Sequence, residues 1–438
     1  MKYVITMALA LAICACTPKK EPDLFVRTNG VNFTVEGKPV YFVGANYWYG
    51  AILGSKGRGG DRGRLAKELD QLKEMGVTNL RVLVGAEGPD NQPYRVTPAL
   101  QLAPGVYNDT ILDGLDFFMA ELGKRQMRAI LFLHNTWEWS GGYAQYVNWH
   151  GGGDIPYPQI APHTWPEFMA YAASFLNCND CKEQFRHHIK FILGRTNVYT
   201  GVKYTDDPWV MTWEIANEPR ALLDENKEVF AQWIGETAAL IKSLAPKQLV
   251  TTGTEGSHGC QTDMELFKRI HNDPHVDYLV FHIWPKNWGW LNVHDIPGSV
   301  DSAIVKTNDY MERHLEVARV LNKPAVFEEF GLPRDNHRFS LDDPTTARDK
   351  YYRNAFALVE ENARQGGALA GTNFWAYGGT GRAAGDENPF WSNGDDLMGD
   401  PPQEEQGLNS VFDTDSTIGA IKAHARRLTE ITNENGKR

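Results

Sequence analysis

Two glutamates stand where chemistry would be done. Glu218, in Trp-Glu-Ile-Ala-Asn-Glu-Pro-Arg, and Glu329, in Val-Phe-Glu-Glu-Phe-Gly, each close an apolar run, and they lie 111 residues apart. Two opposed carboxyl groups in a partly dry cleft are what cleavage of a glycosidic bond requires. One stays protonated to assist the leaving oxygen, and the other stays ionised to attack the anomeric carbon. Either acid alone reads equally well as a salt-bridge partner for Arg or Lys. The pair is harder to read that way, because other polar and aromatic residues also follow apolar stretches. These are Arg81 in Asn-Leu-Arg-Val, Asn135 in Leu-His-Asn-Thr-Trp, His282 in Phe-His-Ile-Trp and Trp375 in Asn-Phe-Trp-Ala-Tyr. His134, next to Asn135, reads as a satisfied core histidine at least as readily as a member of the site.

The elements that must hold these residues alternate along the chain. Continuous apolar runs cover residues 40–47, 79–84, 128–134, 209–216, 248–253, 276–283, 324–330 and 368–376. Amphipathic stretches between them predict helices at 64–75, 112–122, 165–193, 225–244, 302–321 and 349–364. Unbroken apolar strands separated by helices mean a parallel sheet covered on its outer face. Eight such strands predict an α/β fold, a single (β/α)8 TIM barrel, with a short N-terminal β-hairpin before the first core strand and extended βα loops. An open doubly wound sheet is disfavoured, because Gly44-Ala-Asn-Tyr-Trp48 puts bulky residues where a phosphate-binding turn would be glycine-rich. Residues 137–165 and 378–409 are the long insertions, placed where barrel active sites grow.

The composition narrows the partners. A net charge of −11 offers no excess of Lys and Arg for a nucleic-acid backbone, and 11% aromatic residues argue against disorder. The 13 tryptophans are the surplus to be explained. Residues 1–16 resemble a lipoprotein-type signal peptide, with one Lys, a short apolar run and a small residue before Cys16, the candidate lipidated cysteine. Ordinary cleavage near Ala15 is the alternative. Residues 17–23 read as a tether and 24–438 as one catalytic domain. The expected location is extracytoplasmic: lipid-anchored at the periplasm or outer-membrane surface, or otherwise secreted. Cys178 and Cys181 form a lone CxxC, read as a local disulfide and not as a zinc or redox site, and Cys260 reads as a buried thiol. No metal or other cofactor is expected, since neither HExxH nor an EF-hand loop occurs. The acidic stretch 385–405 reads as a solvated loop in preference to a Ca2+ site.

The segment GVKYTDDPWVMTWEIANEPR (201–220) brings these observations together, with NTWEWSGGYAQYVNW, FHIWPKNWGW, VFEEFGLPRD and GDPPQEEQGLNSVFDTD. They resemble glycoside hydrolase family 5, the retaining (β/α)8 enzymes, and most closely its bacterial endo-β-1,4-mannanase branch. The resemblance runs over almost the whole chain from Phe25. It implies Glu218 as acid/base and Glu329 as nucleophile, with Glu328 a supporting acid. Asn217 would bond the sugar 2-hydroxyl and Arg81 would keep the nucleophile ionised. His282 and Asn135 would join the same ring of groups, Trp375 would floor the reacting subsite, and Arg220 would contact a sugar on the leaving-group side. The family usually has Tyr two residues after the His of strand six; here Trp284 stands there, whose indole donates but cannot accept or deprotonate.

The implied reaction is double displacement on β-1,4-mannosidic bonds of mannan, glucomannan or galactomannan. Aromatic platforms for the sugar faces are expected among Trp137, Trp139, Trp149, Trp288 and Trp290. A β-mannan polysaccharide or oligosaccharide is the expected partner of a monomer that touches a membrane only through its N-terminal anchor. A β-1,4-glucanase or an exo-acting mannan hydrolase on the same fold are the alternatives, the latter if 378–409 blocks one end of the cleft. A non-catalytic glycan-binding lipoprotein is a third, disfavoured by the intact Glu218 and Glu329.

Overall fold

The computed structural model describes residues 22–92, 94–384 and 389–435, so the expected signal peptide lies outside the described residues. The predicted barrel is there. Its strands are β1 (Phe42–Asn46), β2 (Asn79–Leu83), β3 (Arg128–Phe132), β4 (Val210–Glu214), β5 (Leu249–Thr251), β6 (Leu279–Ile283), β7 (Ala325–Phe330) and β8 (Leu369–Phe374). They run parallel in the order β5-β4-β3-β2-β1-β8-β7-β6. Between β5 and β6 the ring closes through Asp277 N–H to Val250 C=O at 2.8 Å and Thr251 Oγ1 to Tyr278 C=O at 3.0 Å.

Inside the barrel, alternation decides which side chains meet. Phe42 on β1, Ile130 on β3, Val280 on β6, Val326 on β7 and Ala370 on β8 fill the lower interior. Further along β1, β2 and β6, towards the mouth, the inward positions become polar: Asn46, four residues after Phe42, Arg81, and His282, two residues after Val280. The N-terminal segment seals the bottom. The expected hairpin is a three-stranded antiparallel meander, Arg27–Asn29, Asn32–Val35 and Lys38–Val40. The apolar run at 40–47 is therefore shared between the meander and β1, with Tyr41 at the break. Phe33 from the meander is fully buried and meets Tyr278 edge-on at 5.1 Å.

The outer layer departs from the sequence reading in several places, among them the unpredicted helices Gly142–Trp149 and Met264–His271. The helix expected at 165–193 is two, Trp165–Ala173 and Asn179–Leu193, because Cys178 is extended, caps Cys181 N–H through its Sγ at 3.1 Å and closes the disulfide to Cys181. The helix expected at 302–321 begins at Ile296: Pro297 sits in its first turn, where a missing N–H costs nothing, and Asp295 caps it. A last helix, Thr417–Asn435, packs on Thr346–Arg364, with His424 Nδ1 2.8 Å from Glu360. Cys260 is buried and free, as expected.

Phe33 plugs the barrel without touching its mouth, so Phe33→Ala should cost about 3–5 kcal/mol. Urea unfolding measures this, and a loss below about 1 kcal/mol would show that the meander is only an appendage.

Candidate active site

Arg81 is the hub of the barrel mouth. It is fully buried on β2 with its guanidinium over the Phe132 ring at 4.6 Å. A guanidinium has five N–H bonds, and here every nitrogen is engaged. Nε and Nη2 hold the two oxygens of Glu214 at 2.9 and 2.5 Å, and Nη2 also reaches Asn217 Oδ1 at 2.8 Å. Nη1 donates to Asn46 Oδ1 at 3.0 Å and to Glu329 Oε1.

The other oxygen of Glu329 accepts from Trp284 Nε1 at 3.2 Å. The indole thus stands as the second donor to this carboxylate, at the position where the resemblance leads one to expect Tyr. His282 Nδ1 sits between the two acids, 2.9 Å from Glu218 Oε1 and 3.3 Å from Glu329 Oε2. Trp137 Nε1 donates to Glu218 Oε2 at 2.5 Å. One oxygen of each carboxyl and one ring nitrogen of His282 all lie within 4.8 Å of one another. Such a trio has metal-ligand chemistry, but Arg81, Trp137 and Trp284 already bond its carboxylate oxygens.

The turn after β4 delivers Glu218. Asn217 N–H bonds His134 C=O at 2.8 Å and Glu218 N–H bonds Gly253 C=O at 2.9 Å. Glu218 has φ of +48°, a left-handed conformation costing about 1–2 kcal/mol for a residue with a Cβ. Gly253 permits the approach: a Cβ there would lie 1.9 Å from Ala216 O and 2.4 Å from Glu214 Oε1. Beside Glu218, Arg220 pairs with Glu255 through Nε at 2.5 Å and Nη2 at 2.6 Å, and stacks on Trp137 at 4.7 Å.

Burial pushes the Glu218 carboxyl up, with Arg220 opposing it. Burial raises Glu329 too; Arg81 opposes this, and Glu218 and Glu214 reinforce it. Carboxyls this close titrate as a pair. The cation of Arg81 touches Glu329, whereas Glu218 meets a neutral indole and an imidazole that burial and Arg81 hold neutral. Direct contact with Arg81 favours the ionised form of Glu329, and Glu218, which lacks such a contact, is the member of the pair better placed to keep the shared proton.

Above them opens a cavity of about 560 Å³, lined by Trp137, Trp139, Trp165, Trp284, Trp288, Trp375, Phe390 and a set of polar groups. Glu138 Oε2, Gln159 Oε1, Gln403 Oε1, Glu404 Oε2 and Trp375 Nε1 are buried there without a protein partner, which suits a ligand rich in hydroxyls. The segment Pro401–Glu405 forms one wall. It is braced by Asp400, which accepts from the N–H of Gly407, Asn409 and Ser410, and by Gln406, whose amide bonds three carbonyls of the same turn. Burial, with Asp400 nearby, pushes the Glu404 carboxyl up to about 8.

Glu218, Glu329, Asn217, Arg220, Trp137, Trp284 and Trp375 all line this cavity. Arg81 and His282 lie beneath it. Asn135 is a correction: fully buried, it braces Asn217, Trp137 N–H and Ser140 and does not face the cavity. Among the expected platforms, Trp149 packs on Tyr146, and Trp290 on Trp288 and Tyr310, away from the lining. His134 is packed among Tyr143, Tyr146, Phe175 and Phe185 as core. Glu214, Glu255, Trp165, Gln403 and Glu404 were not anticipated. The signals available were Glu214, an acid in an apolar strand four residues before Glu218, and the segment GDPPQEEQ, which carries Gln403 and Glu404.

The chain matches the family described as GH family 5 beta-mannosidase-like over residues 23–433. It is 32% identical over 363 residues to the putative mannan endo-1,4-beta-mannosidase 9 of Oryza sativa, covering 80% of this chain and 81% of that one. It is 30% identical to mannan endo-1,4-beta-mannosidase 2 of Arabidopsis thaliana, covering 82% and 80%. The glycoside hydrolase family 5 mannosidase of Rhizomucor miehei superposes with a TM-score of 0.86 at 37% identity, over 94% of this chain and 99% of that one. With the paired carboxyls seated at the mouth of the barrel, this chain belongs to glycoside hydrolase family 5.

Proposed function

We propose that this enzyme hydrolyses β-1,4-mannosidic bonds in mannan, glucomannan or galactomannan by double displacement, acting within chains. The observation that carries the mechanism is the approach of Glu218 and Glu329 to within 4.8 Å. Retaining enzymes hold the two carboxyls about 5–5.5 Å apart, whereas inverting ones leave room for a water. Glu329 attacks the anomeric carbon as Glu218 protonates the leaving oxygen. Glu218 then takes a proton from the water that releases the sugar. Asn217, held by Arg81 and Asn135, faces the ring where the axial 2-hydroxyl of mannose would lie. Mannan specificity rests on the mannan endo-mannosidases to which the chain is similar.

Exo action is the second reading. The Pro401–Glu405 wall and the likeness to the Rhizomucor miehei mannosidase favour it. Linear mannan separates the two. An endo enzyme lowers viscosity early and releases a ladder of oligosaccharides; mannose without a drop in viscosity would establish exo action. Glu329→Ala should abolish either activity, and degradation at the wild-type rate would sink the assignment.

The charge of Arg220 lowers the Glu218 pKa, so Arg220→Met should raise it and move the basic limb of kcat/KM to higher pH. An unmoved or lowered limb contradicts Glu218 as the acid. Residues 1–16 support lipid anchoring outside the cytoplasm. Cys16→Ser should then release the protein from the membrane fraction, and a soluble wild type would refute the anchor.

A further inference from the structure

Glu328 is fully buried on β7, next to the proposed nucleophile. Its Oε2 lies 3.8 Å from Arg81 Nε and 3.5 Å from His282 Nε2, and its Oε1 has no conventional hydrogen-bond donor. The N–H bonds of Arg81 are engaged by Glu214, Asn46, Asn217 and Glu329, none of them by Glu328. The charged and titratable groups facing it are Arg81 from β2, Glu214 from β4, Tyr278 just before β6, His282 from β6, and Glu329 from its own strand. Of these only Arg81 is a cation, because His282 is neutral. Ionising Glu214, Glu328 and Glu329 together would set three negative charges against one positive charge where water is excluded.

We infer that Glu328 is a positioning residue that stands as a neutral acid, its O–H donated to Glu214, so that the single charge of Arg81 serves Glu214 and Glu329. The proton stays on Glu328 throughout the reaction; no bond is made or broken there. Burial and the charge of Glu214 push the Glu328 carboxyl well above the carboxylate range, in keeping with this. An ionised Glu328 would repel Glu214 and compete with Glu329 for Arg81. The inference rests on Glu329 being the nucleophile, but its test does not depend on what the cleft hydrolyses.

Infrared spectra supply that test. In a Glu218→Gln background, which removes the neighbouring protonated acid and leaves that of Glu404 in place, the further change Glu328→Gln should delete one protonated-carboxyl C=O band at neutral pH. An unchanged spectrum in that region overturns the inference, whatever the activity. Kinetics add a second readout. Gln keeps an N–H donor toward Glu214 and Leu does not, so E328Q should retain at least about tenfold more kcat/KM than E328L. Equal losses would also overturn it. Should E328L not fold, the E328Q infrared comparison decides alone.

Discussion

One buried cation governs this barrel mouth. Arg81 is enclosed by carboxyl and amide oxygens from three other strands, β1, β4 and β7, and from the turn after β4, and a guanidinium suits the place because its planar fork can bond several of them at once. A lysine would bring the same charge without the fork. Everything polar at the mouth follows from this clamp: Glu214 fixes the guanidinium, the guanidinium fixes Asn217 and Glu329, and Asn217 ties the arrangement to Asn135 and so to the turn holding Trp137. Burial gives these bonds their strength and makes any unmatched charge expensive, which is why the protonation of the surrounding acids is as much a structural matter as a chemical one.

Around this rigid floor the walls are built differently. Trp137 and Trp284 each present an apolar face to the cavity and spend their only polar atom on a carboxylate below. One residue type thus shapes the cleft and sets the electrostatics of the acids. The wall at Pro401–Glu405 comes from a loop with little regular structure, held by the many hydrogen bonds of Asp400 and Gln406. The loop thus shapes one side of the cleft while the barrel strands hold the acids.

The sequence was informative wherever the signal is local. Apolar runs ending in acids placed Glu218 and Glu329 on strand ends, and the alternation of runs and amphipathic stretches gave the barrel. Local signals also misled. The Cys178–Cys181 bridge breaks a stretch whose periodicity reads as one helix, and the helix expected from 302 begins at Ile296, with Pro297 in its first turn. Asn135 has the look of a rim residue but turns inward to brace its neighbours, because the segment after β3 bends back to bond Asn217.

By itself, then, the sequence determined the fold class, set the two acids at strand ends and named most of the aromatic lining, because these follow from local runs and motifs along the chain. Only the tertiary structure decided which acids share Arg81, that the Trp284 indole bonds Glu329, and that Gln403 and Glu404 reach the cleft. Those facts depend on strand register and ring closure, which bring residues more than a hundred positions apart into contact. The physical reason is that a buried charge is defined by its neighbours, and the neighbours come from other strands.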